Sequence, residues 1–194
     1  MNNKESFQQF IKNTISATPE MLEQITAAFE EITIPKNSFF LKAGAYANHY
    51  MFLSRGFLRA YTFDQDHNEV TTGFYSGPSM VFEVYSFFNH TISRENIQAL
   101  ADSEGLVINF ETLNHLFHSL PAFRDFGRAI LVKGFTALKY RTLSMINETA
   151  EERYAGLIRS NPEVFQHAPL KDIASYLGVT DTSLSRIRKN FIHK

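Results

Sequence analysis

The stretch Pro169-Leu-Lys-Asp-Ile-Ala-Ser-Tyr-Leu-Gly-Val-Thr-Asp-Thr-Ser-Leu-Ser-Arg-Ile-Arg-Lys189 constrains this chain more than any other, because its spacing fits two short helices joined by a glycine turn. Ile173, Leu177, Val179, Leu184 and Ile187 are apolar where a helix-turn-helix needs core contacts. Ala174 is small where the two helices approach closely, and Gly178 permits the turn. Thr180 offers a hydroxyl cap to the second helix. That helix carries Arg186, Arg188 and Lys189, with Lys194 beyond, and no acid follows Asp181, so its outer face suits phosphates. The alternative is an ordinary helical hairpin with a solvated basic end. The coincidence of the alanine, the glycine and the apolar positions favours the DNA-reading module.

The rest of the chain is long enough to carry something more. Its 194 residues allow one full core plus a small appendage, and hence two domains. There is no cysteine, which excludes disulfides, iron-sulfur clusters and thiolate metal sites and fits a reducing compartment. The first residues, Met1-Asn-Asn-Lys-Glu-Ser-Phe7, lack the basic start and apolar run of a secretory signal, and no stretch approaches the length of a membrane span. A cytoplasmic protein with no membrane partner is expected. The net charge of -1 hides an asymmetry, since basic residues concentrate at the C-terminal tip. The 19 phenylalanines, set against no tryptophan, are expected mostly to fill a core, with a ligand pocket lined by a few of them as the alternative.

Residues 5–16 and 18–32 read as helices, the second with Thr18 as cap and Pro19 in its first turn. Leu22, Ile25, Phe29 and Ile32 recur at helical spacing. From Ile34 to about Phe110, short runs rich in Phe, Tyr, Val and Thr alternate with turn residues, as in a sandwich or barrel. Within Phe57-Leu-Arg-Ala-Tyr-Thr-Phe63, strand alternation turns Phe57, Arg59, Tyr61 and Phe63 one way. A long helix is predicted from roughly Pro121 to Asn147, with apolar Phe123, Phe126, Ile130, Leu131, Phe135, Leu138 and Met145. Gly127 and Gly134 interrupt its stripe and let another backbone come close, so the helix reads as a connector that also pairs with its copy; the alternative is packing within one chain. Thr149-Ala-Glu-Glu152 is a capping box that starts a new helix, so the domain boundary falls near residue 148; Asn161-Pro162 ends that helix.

In that order of elements the chain resembles the Crp/Fnr family of bacterial transcription regulators over almost its whole length. The likeness rests on Ile34-Pro-Lys-Asn-Ser-Phe-Phe-Leu-Lys-Ala-Gly44, Tyr50-Met-Phe-Leu-Ser-Arg-Gly-Phe-Leu-Arg-Ala-Tyr61, Ile97-Gln-Ala-Leu-Ala-Asp-Ser103, Ala150-Glu-Glu-Arg-Tyr154 and Ile173-Ala-Ser-Tyr-Leu-Gly-Val-Thr180. The resemblance implies an α+β fold: an antiparallel, jelly-roll-like β-roll sensor of the cyclic-nucleotide-binding type with flanking helices (residues 1–120), a long dimerisation helix (121–148), and a small all-α helix-turn-helix domain (149–194). It implies double-stranded DNA as partner and a homodimer through residues 121–148. It also implies that Asp181, Thr182 and Arg186 face the groove. Arginine can bridge O6 and N7 of guanine, which makes Arg186 the foremost base reader. Ser183, Ser185, Arg188 and Lys189 rank as phosphate partners. Other subgroups add a β-hairpin wing after this helix. This sequence stops at Lys194, so a wingless reader is expected, with less backbone contact or a greater dependence on its dimer partner.

The sensor matches less well. Relatives that bind cyclic AMP hold its phosphate with a Gly-Glu pair followed about ten residues later by Arg-Ser, because an anion needs backbone donors and a guanidinium together. Here Glu83 follows Phe82, and Ser93-Arg94 stands for Arg-Ser, with the arginine one place late and so turned to the other face of an extended chain. Phe82, Glu83, Ser93 and Arg94 are therefore the candidate ligand residues, with weak or no cyclic-nucleotide binding expected. An unknown small-molecule effector remains open, as does a sensor that serves only for dimerisation.

His115 and His118 share a helix face but lack a third ligand nearby, so no metal or other cofactor is expected. No His-Glu-x-x-His, Gly-rich phosphate loop or Gly-x-Ser-x-Gly elbow is present, and an enzyme is not expected. The competing functional class is a small-ligand sensor or dimeric interaction module without DNA readout. Neutral or acidic residues on the second helix would favour it.

Overall fold

The computed structural model describes residues 1–192. Helix α1 (Asn3–Lys12) opens with a capping box, in which the Asn2 side chain accepts from the Glu5 N–H and the Glu5 carboxylate accepts from the Asn2 N–H. Helix α2 (Pro19–Ala27) starts at Thr18, whose hydroxyl accepts from the Met21 N–H. It stops short of the expected end at residue 32. Glu30–Ile34 is strand β1, which pairs antiparallel with β8 (Ser103–Asn109) and sets Ile32 opposite Gly105. The β-branched run Ile32-Thr33-Ile34 suits a strand, and ladder bonds plus burial of Ile34 outweigh the helical spacing of Phe29 and Ile32.

Between them lie β2 (Phe39–Leu41), β3 (His49–Arg55), β4 (Phe57–Phe63), β5 (Glu69–Ser76), β6 (Ser79–Val81) and β7 (Asn96–Ala99). They form two four-stranded antiparallel sheets, in the orders β1-β8-β3-β6 and β2-β7-β4-β5. The fold is the expected α+β one, a β-roll with helices on both sides. The Ser54-Arg-Gly56 turn carries the chain from one sheet to the other.

Strand β3 shows how the layers stack. Met51 and Leu53 point between the sheets, joining Leu58, Ala60, Ile97 and Ala99 in the inner core. Tyr50 and Phe52 point the opposite way, into a core shared with Phe7, Ile11, Leu22, Phe123 and Phe126. A strand covered on both faces needs a continuous apolar run, and Tyr50-Met-Phe-Leu supplies it. Short helix α3 (Val84–Asn89) and helix α4 (Phe110–Ser119), neither marked by its sequence spacing, help to close this side.

Helix α5 covers Pro121–Asn147, as expected. Phe123, Phe126 and Ile130 are buried in the helical core, but Leu131, Phe135, Leu138 and Met145 are exposed on the described chain. Gly127 makes room for a ring rather than a backbone: a Cβ there would lie 2.5 Å from Phe117 Cε1. Beyond α5 come α6 (Ala150–Ser160), α7 (Val164–His167), α8 (Leu170–Leu177) and α9 (Asp181–Ile192). The Thr149–Glu152 capping box is formed in both directions.

The roll completes the core of these four helices. Tyr154, Leu157, Val164, Ile173, Leu177, Leu184 and Ile187 cluster with Phe57 of β4, and Phe74, Leu100 and Ala101 of the roll pack on the same cluster. Phe57 is fully buried there and stacks on His167. Phe57→Ala should therefore cost about 3–5 kcal/mol. In a denaturant melt, far-UV and near-UV circular dichroism should lose signal together, because roll and helices share the lost contacts.

Candidate nucleic-acid interface and sensor site

Helix α8 ends on Gly178 in the left-handed region, at φ 68°. The Gly178 N–H donates to Ser175 C=O and the Val179 N–H to Ala174 C=O, which turns the chain into α9. Thr180 begins α9 as its sequence suggested, its hydroxyl accepting from the Ser183 N–H at 3.2 Å and donating to Ser183 Oγ at 3.0 Å. Arg153 braces the unit from α6. Its Nε donates to Leu177 C=O at 3.0 Å, and its Nη1 donates to Glu148 C=O at 2.6 Å.

Leu184 and Ile187 turn inward, so the opposite side of α9 faces out. Asp181, Thr182, Ser185, Arg186 and Lys189 are exposed, while Ser183 and Arg188 are half-buried. Thr182, Ser185, Arg186 and Lys189 share one stripe by their helical spacing. Among the described residues, Arg186, Arg188 and Lys189 have no ion-pair partner. Lys194 lies outside the described residues.

The four sensor candidates do not converge. Phe82 is half-buried in the helical core, its ring 4.4 Å from that of Tyr50. Glu83 caps α3, its carboxylate oxygens accepting from the N–H groups of Tyr85 (3.0 Å) and Ser86 (2.7 Å). Those donors are thus already taken by the chain's own anion. Ser93 is buried, and its hydroxyl bonds only locally, accepting from the Glu95 N–H and donating to Glu95 C=O. Arg94 is exposed, and its carbonyl accepts from Thr62 Oγ1. A surface hollow of about 340 Å³ lies between Phe39–Lys42, Ala45–His49 and Glu83; Phe82, Ser93 and Arg94 do not line it.

A family model described as cyclic nucleotide-binding domain matches residues 31–119. The chain is 26% identical over 170 residues to the fumarate and nitrate reduction regulatory protein of Yersinia pestis, covering 81% of this chain and 67% of that protein. FixK2 from Bradyrhizobium japonicum superposes with a TM-score of 0.73 at 16% identity, covering 85% of each chain. A transcriptional regulator of the crp/fnr family from Eubacterium rectale superposes at 0.68 and 14% identity, over 90% of this chain and 83% of that one. The chain thus carries a cyclic nucleotide-binding domain over residues 31–119 and resembles regulators of the Crp/Fnr type.

The roll carries a partly buried carboxylate beside the four sensor candidates. The residue that turns inward after Ser93 is not an arginine but Glu95, which precedes β7 and is half-buried. Burial pushes its carboxyl up; the charge of Glu83 adds to that, while Thr72 and Arg141 pull the other way. The phenol of Tyr75 is also pushed up, by burial first and then by Glu95 and Glu83. Sequence reasoning stopped at Arg94 because the family pattern directed attention there; strand alternation from Ile97 inward would have found Glu95.

A carboxyl raised in the folded state contributes stability that is present below its unfolded pKa and lost as pH rises through the folded value. Glu95→Gln should therefore raise the melting temperature at neutral pH. The gain should shrink as pH falls toward the ordinary glutamate range, measured by thermal melts in a pH series.

Proposed function

We propose that this chain acts as a regulator of the Crp/Fnr type, a homodimer that inserts one α9 per subunit into successive major grooves of a roughly palindromic DNA site. The observation that carries the reading is the exposed stripe of Thr182, Ser185, Arg186 and Lys189, with unpaired cations on a helix whose other side is locked in a core. Arg186 reads a base, and Asp181 and Thr182 lie beside it in the groove. Ser183, Ser185, Arg188 and Lys189 position the helix on phosphates. Half-sites then lie about one helical turn apart, ~34 Å.

The dimer seam runs along α5. Leu131, Phe135, Leu138, Thr142 and Met145 are all exposed and alternate in steps of four and three, the spacing of a helix pair. Phe135 is 70% exposed, far more than a phenylalanine in a finished core. Residues 1–120 act as the sensor, 121–148 as the connector and seam, and 149–194 as the reader. The sensor takes little or no cyclic nucleotide, because Glu83 occupies the α3 donors, Arg94 is turned out and Glu95 faces in. A small-molecule effector of this sensor has a chemistry other than that of a phosphate ester.

Selection from random DNA should enrich a two-fold symmetric sequence, bound less tightly as salt rises. Arg186→Ala should cost roughly 1–3 kcal/mol and relax preference at one base pair. If no sequence enriches and salt has no effect, the competing reading of a ligand sensor or interaction module without DNA readout replaces this one. Phe135→Asp should convert the dimer to a monomer in light scattering.

Cyclic AMP and cyclic GMP should leave the melting temperature unchanged. A true ligand at a hundred times its Kd would contribute about 2.7 kcal/mol, which a thermal melt would register.

A further inference from the structure

The most deeply buried charges in this protein lie where the sensor sheet meets the helix-turn-helix. Arg59, in the middle of β4, and Asp172, in the first turn of α8, are each 3% exposed. Arg59 Nη1 lies 3.3 Å from the Asp172 carboxylate and 2.6 Å from that of Glu69. Its Nε donates to Thr71 Oγ1 at 2.9 Å, and the guanidinium sits 4.4 Å from the centre of the Tyr61 ring. One guanidinium thus gathers β4, β5 and α8.

Two further links act on the same joint. Strand β5 is the last in its sheet, and Ser175 of α8 bonds to its backbone, accepting from the Thr71 N–H at 2.8 Å and donating to Glu69 C=O at 3.2 Å. Arg141 of α5 donates to Thr71 C=O at 3.3 Å and to Tyr176 C=O at 3.2 Å. A buried charge pair is a poor source of net stability, because desolvation offsets its attraction, but it is directional. Apolar contacts around Phe57 would let α8 slide; the charge pair and the backbone bonds allow one register. Helix α9 is fixed to α8 by the turn and their shared core, so it inherits that register.

We infer that Arg59 is a positioning residue for DNA reading, holding α8, and through it α9, at one angle to the sensor sheet and to α5. This rests on the DNA-binding dimer proposed above. The docked arrangement leaves Thr182, Ser185, Arg186 and Lys189 exposed, so docking on the sheet does not cover the face offered to DNA. The distance between the two recognition helices of a dimer is then set by the outer face of each sensor sheet.

The test uses the full chain, a selected two-half-site DNA, versions of it with altered half-site spacing, and non-specific DNA at the same salt. Arg59→Gln should bind the selected site roughly tenfold more weakly, with a flattened spacing preference and unchanged non-specific binding. Asp172→Asn, nearly the same shape, should move both readouts the same way. The chain has no cysteine, so Thr71→Cys with Ser175→Cys can be oxidised as the sole thiol pair. In the Arg59→Gln background that staple should restore affinity and spacing preference, and reductant should remove the rescue.

The inference is overturned if folded Arg59→Gln keeps wild-type affinity and spacing preference, if it binds more tightly, or if a fully formed staple restores nothing. Should Arg59→Gln fail to fold, Asp172→Asn, with and without the staple, carries the same comparison. A wild-type chain that selects no sequence at all overturns the DNA-binding reading itself, and this inference with it.

Discussion

Sheet β2-β7-β4-β5 buries both faces, and the covering of its second face organises the rest of the molecule. One face, with Leu58, Ala60, Ile97 and Ala99, closes against the other sheet as in any roll. The other face presents Phe57 and, beside it, Phe74, and the helices after residue 149 cover them. At about 25 cal/mol per Å² of apolar surface, a phenylalanine buried as completely as Phe57 is a substantial part of the stability of a small domain. Sensor and reader thus share the apolar surface that keeps each of them folded.

Charge is divided between three places of different character. At the joint, Arg59 and Asp172 are paired out of water, with the exposed Glu69 carboxylate closing on the same guanidinium. On α9, Arg186 and Lys189 stand in water without protein partners among the described residues. The first arrangement costs desolvation and gives geometry. The second leaves long-range attraction available for a polyanion. The roll interior is a third case, in which Glu83 raises the carboxyl of partly buried Glu95 and itself accepts from the first N–H groups of α3.

The local features were legible in the residues. The Thr149–Glu152 capping box, the Thr18 cap with Pro19, the Gly178 turn and the limits of α5 all depend on neighbours a few positions apart, and all formed as their spacing indicated. The strand facing of Phe57, Arg59, Tyr61 and Phe63 was also visible in simple alternation. What they faced was not: the partner of Arg59, Asp172, lies far along the chain. β1 was mistaken for helix because Phe29 and Ile32 have helical spacing, and its pairing with β8 is a long-range fact. Helix α3 was missed because six residues carry little periodicity, and its cap comes from Glu83, which had been read only as a ligand residue.

By itself the sequence determined the types and order of most elements, the basic character of α9, the bare seven-residue rhythm of α5 and the loss of the Arg-Ser pair. Each is a property of residue identity at short spacing, where backbone sterics and side-chain direction act directly. Tertiary structure alone decided that the reader docks on the sensor sheet, that Arg59 and Asp172 meet, that Glu95 and not Arg94 faces inward, and that the helical layer completes the core around Phe52 and Phe126. Those outcomes turn on which apolar faces find each other after the chain collapses, and on which buried charges then have a partner within reach.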